Sequence, residues 1–97
     1  MRLVIEVKQI KGNCPVYQVG DTFVLEQGYI LEPVVSTRIC MHSLASLLPY
    51  YVALVHGVNP VALGLSPGDP KVAYVQCLDP CETTGGGTVL FAITRQD

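Results

Sequence analysis

The sequence is poor in charge. Asp, Glu, Lys and Arg make up 14% of its 97 residues, against roughly 25% in an average soluble domain. The basic residues Arg2, Lys8, Lys11, Arg38, Lys71 and Arg95 form no run and the net charge is −2, so the electrostatic footprint of nucleic-acid binding is missing. A long apolar run is missing too. The richest stretch, LASLLPYYVALV at 44–55, contains Ser46 and Pro49 and falls short of the about 20 residues that a membrane span requires. It predicts a buried helix and no membrane partner. Near the N-terminus Glu6 and Lys8 alternate with apolar residues, which argues against the continuous apolar segment of a secretory leader. The cytoplasm is the expected compartment.

What the chain has instead is apolar surface. Hydrophobic residues are 49% of the total. A chain of this length is expected to form one domain, 1–97, with one modest core. A small domain leaves much of its surface in water, so surplus apolar residues line a binding site or an interface between copies. A homo-oligomer is the expected assembly.

Along 2–10, RLVIEVKQI places apolar side chains at 3, 5, 7 and 10 with polar ones between, the pattern of a strand with one wet face. Gly12, Asn13 and Pro15 break it, and QVGD at 18–21 predicts a turn in which Asp21 bonds backbone rather than acting as a base. A second strand follows at 22–26, with YILEP extending it past a bend at Gly28. Ser36 or Thr37 is the expected cap of a helix that runs to His56, with Cys40 at its first turn and Gly57 as its stop. Positions 40, 44, 47, 48, 51, 54 and 55 form its apolar stripe. Pro49 removes one backbone donor and predicts a kink, or two short helices. The stretch 58–70 reads as an irregular connection, KVAYVQCL as a strand, DPCETTGGG as a loop, and 88–95 as a last strand pairing with the first.

The expected fold is therefore α+β: a curved, mainly antiparallel sheet of four or five strands with one kinked helix across it, in the order β-β-α-β-β. Leu3, Ile5, Val7, Phe23, Leu44, Leu48, Val52, Val75, Leu90 and Phe91 are the expected core.

Four cysteines carry whatever chemistry there is: Cys14, Cys40, Cys77 and Cys81. In a reducing compartment such thiols bind metal, do redox work, or pack as small hydrophobes more often than they form disulfides. Thiolate and imidazole suit zinc or an iron–sulfur cluster. The close C-x2-C pairs of a zinc ribbon are absent, since Cys77 and Cys81 are four apart and Cys40 and His42 two apart. Within regular helix, Cys40 and His42 diverge by about 200°, so His42 joins Cys40 at a metal, or as a catalytic partner, only if the helix begins after Cys40. A reactive thiol belongs most naturally at Cys40, where a helix start favours thiolate. TTGGGT at 83–88 lacks the lysine of a phosphate-binding loop and leads into a strand, so it reads as a hairpin loop. Tyr50 and Tyr51 belong at least partly to the core, and His56 to the helix end.

Four stretches, KGNCPVYQVGD at 11–21, ICMHSLASLLPYYVALVHG at 39–57, VQCLDP at 75–80 and GTVLFAI at 87–93, together resemble a family of small prokaryotic proteins of about this length to which no activity is attached. The resemblance extends over nearly the whole chain. It implies cysteines at the positions of Cys14, Cys40 and Cys77, and so one shared site. Leu78 stands where the family pattern has proline, and Cys81 and His42 lie outside that pattern, as possible additional ligands.

Three functional classes follow as expectations. Cys14, Cys40 and Cys77 converge on a soft metal ion or cluster; or the chain is an oligomeric interaction module with structural thiols; or it is a thiol-dependent redox enzyme.

Overall fold

A computed structural model describes residues 1–33 and 38–97 of the chain. The expected helix cap at Ser36 or Thr37 lies outside the described residues. The fold is α+β, and among the described residues five strands form one antiparallel sheet. The elements in chain order are β1 (Arg2–Gly12), β2 (Thr22–Glu26), β3 (Ile30–Pro33), α1 (Met41–Leu47), α2 (Tyr51–Val55), β4 (Val72–Gln76), α3 (Cys81–Thr84) and β5 (Gly87–Gln96). Across the sheet the order is β3-β2-β1-β5-β4.

The first strand sits centrally, with β2 on one side and β5 on the other. Its apolar positions 3, 5 and 7 alternate, whereas 10 is out of phase. The register shifts between Val7 and Gln9, so that Lys8 is the extra residue of a β-bulge and Ile10 returns to the core side opposite Val89. One inserted residue thus converts a spacing of three into a same-face spacing.

Leu3, Ile5 and Val7 from β1, Phe23 and Leu25 from β2, Ala73 and Val75 from β4, and Val89, Phe91 and Ile93 from β5 make the core on one face of the sheet. Phe23 and Phe91 meet edge to face with ring centroids 6.2 Å apart, and Tyr17, arriving from the loop after β1, closes the trio at 6.4 and 5.5 Å. Leu90 does not belong to this core. It lies between Gln9 and Gln76 in the register and faces the other way from Phe91, because adjacent residues of a strand point to opposite faces.

Two short helices replace the expected single kinked one. Pro49 has no N–H to donate, and the chain turns once through 48–50 before α2 begins, with Tyr50 N–H bonded to Leu47 O at 3.0 Å. Ser43, Leu47, Leu54 and Val55 are buried, and Leu44 and Tyr51 pack against the core. Leu48 and Val52, expected in the core, are 61% and 53% exposed. A helix lying on a sheet buries one face; residues one step beyond 47 and 51 are turned about 100° away from it.

The hairpin between β2 and β3 sets the position of α2. Gln27 and Gly28 both have positive φ, 55° and 86°. A Cβ on Gly28 would lie 2.5 Å from Val55 Cγ1, so this glycine serves both the turn and the close approach of the helix. At the far edge, Leu65 O accepts the Tyr74 N–H at 2.7 Å, which puts the 58–70 connection over part of the edge of β4. The stretch expected as a loop at 79–87 contains the single turn of α3, ended by Gly85 in the left-handed conformation at φ 76°. Among the described residues no helix is long and apolar enough to cross a membrane.

Candidate thiol site

The four cysteines, all free thiols, belong to four separate segments, yet a chain of contacts joins them at one end of the sheet, where β1 and β4 finish and β5 begins. Cys14 follows β1 in a tight loop. Asn13 N–H bonds Gly86 O at 3.1 Å, and the loop then crosses directly over Gly87, where an added Cβ would lie 2.6 Å from Cys14 N and 2.7 Å from Asn13 C. Only a residue without a side chain permits that crossing. Cys14 Sγ accepts the Tyr17 N–H at 3.4 Å.

Tyr17 connects this loop to the helices. Its ring is 3% exposed, and its hydroxyl accepts the Cys40 N–H at 2.9 Å and lies 2.6 Å from Ser43 Oγ. Ser43 Oγ donates to Cys40 O at 2.6 Å. Because a serine has one hydroxyl proton, the Tyr17 O–H is the donor to Ser43. Burial pushes the Tyr17 hydroxyl above its ordinary pKa; its hydrogen bonds with Ser43 and with the Cys40 backbone oppose the shift, and the nearby Cys40 and Cys14 thiols add to it. Cys40 is the N-cap residue of α1 and makes no side-chain cap bond, which leaves its half-buried thiol to other partners.

Cys77 continues β4 on the core side. It is 7% exposed; its Sγ donates to Gly87 O at 3.5 Å and accepts the Val89 N–H at 3.2 Å. Gly87 therefore touches the Cys14 backbone and the Cys77 thiol at once. Cys81 opens α3, with its N–H directed to Thr88 Oγ1 at 3.3 Å, and a Cβ on Gly12 would come within 3.3 Å of Cys81 Cβ. An exposed ion pair between Lys11 and Glu82, at 2.8 Å, spans the same end. The Asp79 carboxylate takes the Thr84 hydroxyl and its carbonyl the Thr88 hydroxyl, so Asp79 organises this turn. Asp21 does the same for its own turn, accepting the Gln18 N–H at 2.8 Å.

His42 is exposed in α1, next to buried Ser43. The helix does start after Cys40, the condition under which the two side chains can converge, but His42 projects to solvent. Among the described residues, no three His, Cys, Asp or Glu side chains are gathered closely enough to hold one ion. The thiols are neighbours around Gly87 and Tyr17, not a closed set of ligands. Tyr17, Ser43 and Gly87 were not legible as site residues from sequence; the available signals were an aromatic three residues after Cys14, a serine three after Cys40, and the run of three glycines.

At the opposite end of the sheet a cleft of about 550 Å³ is lined by Leu3, Leu54, Val58, Lys71, Ile93 and Arg95 among others. Arg95 is already engaged there, donating to Val55 O at 2.8 Å and pairing with Asp97 at 2.7 Å.

Comparison with known proteins finds no protein-family model, no curated protein and no solved structure that matches the chain.

Proposed function

We propose that this is a small thiol-based binding protein of the cytoplasm that takes a soft metal ion or an iron–sulfur cluster through Cys14, Cys40 and Cys77, with Cys81 within reach of the same end. The observation that supports this reading is contiguity: Tyr17 stands between Cys14 and Cys40, and Gly87 between Cys14 and Cys77. Three thiolates form a soft donor set suited to zinc or to an iron–sulfur cluster, with one coordination position left for another ligand. Binding then requires the three thiols to draw closer together, so the ligand stabilises a closed arrangement and raises the melting temperature by mass action.

A second reading, an interaction module with structural thiols, is favoured by Cys77, whose sulfur already has both a donor and an acceptor partner. Thermal denaturation of reduced protein with and without zinc separates the two. A zinc-dependent rise in melting temperature that disappears in Cys14→Ser, Cys40→Ser and Cys77→Ser variants supports the metal reading. Zinc-independent melting of the folded wild type refutes zinc as its ligand and favours the module.

A further inference from the structure

We propose that the cleft at the end of the sheet remote from the thiols binds a small amphiphilic carboxylate, an apolar body with one anionic head. Its volume, about 550 Å³, falls within the roughly 300–1,000 Å³ of small-molecule sites. The core side chains Leu3, Leu54 and Ile93 form its floor, and Val58, 40% exposed, stands in its wall. Backbone bonds fix that wall. Pro60 O accepts the N–H groups of Leu63 at 3.2 Å and Leu65 at 3.0 Å, and Leu65 O takes the Tyr74 N–H of β4 at 2.7 Å. The 58–70 connection is therefore tied to the sheet before any ligand arrives, and little ordering is left to oppose binding.

The charges at the mouth select the head group. Lys71 and Arg95 line the cleft, and no Asp or Glu does. The two cations stand across from each other, one step past the Val72–Thr94 pair of β4 and β5, where like charges cost stability. An anion between them removes that cost. Arg95 is already oriented, with Nε donating to Val55 O at 2.8 Å and Nη1 2.7 Å from an Asp97 carboxylate that is 82% exposed. Lys71 is exposed and has no ion-pair partner among the described residues. Two cationic side chains and one carboxylate leave a single positive charge, the complement of a monoanion. An exposed pair such as Arg95–Asp97 contributes little, so a ligand carboxylate displaces Asp97 at small cost. A nucleotide fits less well: its phosphates bring more charge than the mouth can match, and no aromatic ring lines the cleft for a base to stack on.

The inference is independent of the thiol reading, and the Cys14→Ser, Cys40→Ser, Cys77→Ser variant should bind as wild type does. The probe is decanoate, kept below its micelle concentration and titrated into the full chain by calorimetry; saturable one-to-one binding is expected. Lys71→Gln should weaken it about tenfold, and Val58→Asp, which sets a carboxylate in the wall, at least as much. Asp97→Asn removes the competing anion and should tighten binding about threefold. All three positions are exposed, and circular dichroism verifies that the variants fold. Lys8→Gln, the same charge change on another exposed lysine, should leave binding unaltered, and decanol should bind about tenfold more weakly than decanoate. The absence of saturable binding overturns the proposal. So does decanoate binding that is unchanged in Lys71→Gln and Val58→Asp, or that Lys8→Gln weakens as much as Lys71→Gln does. Decanol bound as tightly as decanoate overturns the anionic head, and decyl phosphate bound more tightly than decanoate overturns the monoanion.

Discussion

Replacing Gly87 by alanine tests how the Cys14 loop is held. A Cβ there would stand 2.6 Å from Cys14 N, 2.7 Å from Asn13 C and 2.9 Å from Asn13 O. All three are backbone atoms, which cannot rotate aside as the end of a long side chain can. Gly87 does not require positive φ, so the effect is one of space rather than of backbone strain. Overpacking of this kind costs about 1–3 kcal/mol, and the backbone identity of the neighbours places Gly87→Ala near ~3 kcal/mol. For a domain of this size that is a fall of roughly 12–24 °C in melting temperature. Gly68→Ala is the matched control: it has nothing within 4 Å of its Cβ position and no positive φ, and should be neutral or up to about 1 kcal/mol stabilising. Urea denaturation should show a lower midpoint for Gly87→Ala at unchanged slope, and faster alkylation of Cys14 as its loop lifts from β5. Equal melting temperatures for Gly87→Ala and Gly68→Ala would refute the close crossing.

Tyr17→Phe leaves the Cys40 N–H without its acceptor and should cost about 1–3 kcal/mol; the loss is read by urea denaturation, and a double-mutant cycle with Ser43→Ala should show coupling because the two hydroxyls share one bond. The raised pKa of Tyr17 predicts a pH dependence. The folded state keeps the Tyr17 proton where the unfolded state releases it, so the associated stability is complete below the ordinary tyrosine pKa of about 10 and declines as pH rises through it. Stability measured across that range should fall more steeply in wild type than in Tyr17→Phe. In the native state, brief alkylation followed by peptide mass mapping should label Cys14, Cys40 and Cys81, which are half-buried, before Cys77, which is buried.

The strands were legible because their patterns are local. Alternation at 3, 5 and 7 announced β1, and the pairing of the last strand with the first appears as expected. The phase break before Ile10 was visible as a spacing, but its resolution by a bulge at Lys8 depends on a partner strand. Core membership failed where it depended on how much one layer can cover: Leu48 and Val52 continue a helical apolar stripe that the sheet does not reach, and Leu90 takes the face opposite Phe91. The break at Pro49 was expected, and two helices rather than one bent helix follow from the missing donor. The site was legible only as four cysteines. Their connection runs through Tyr17, Ser43 and Gly87, and it arises from long-range juxtaposition: Tyr17 meets residues 40 and 43, and Cys14 meets residue 87. No spacing within the sequence encodes those meetings.

Native mass spectrometry with elemental analysis of anaerobically purified protein, beside a Cys14→Ser, Cys40→Ser, Cys77→Ser variant, tests the thiol site most directly. Near-stoichiometric zinc or iron in the wild type, lost in a variant that remains folded, is the predicted result. Wild-type protein that is folded, metal-free and unresponsive to added zinc or iron would contradict it.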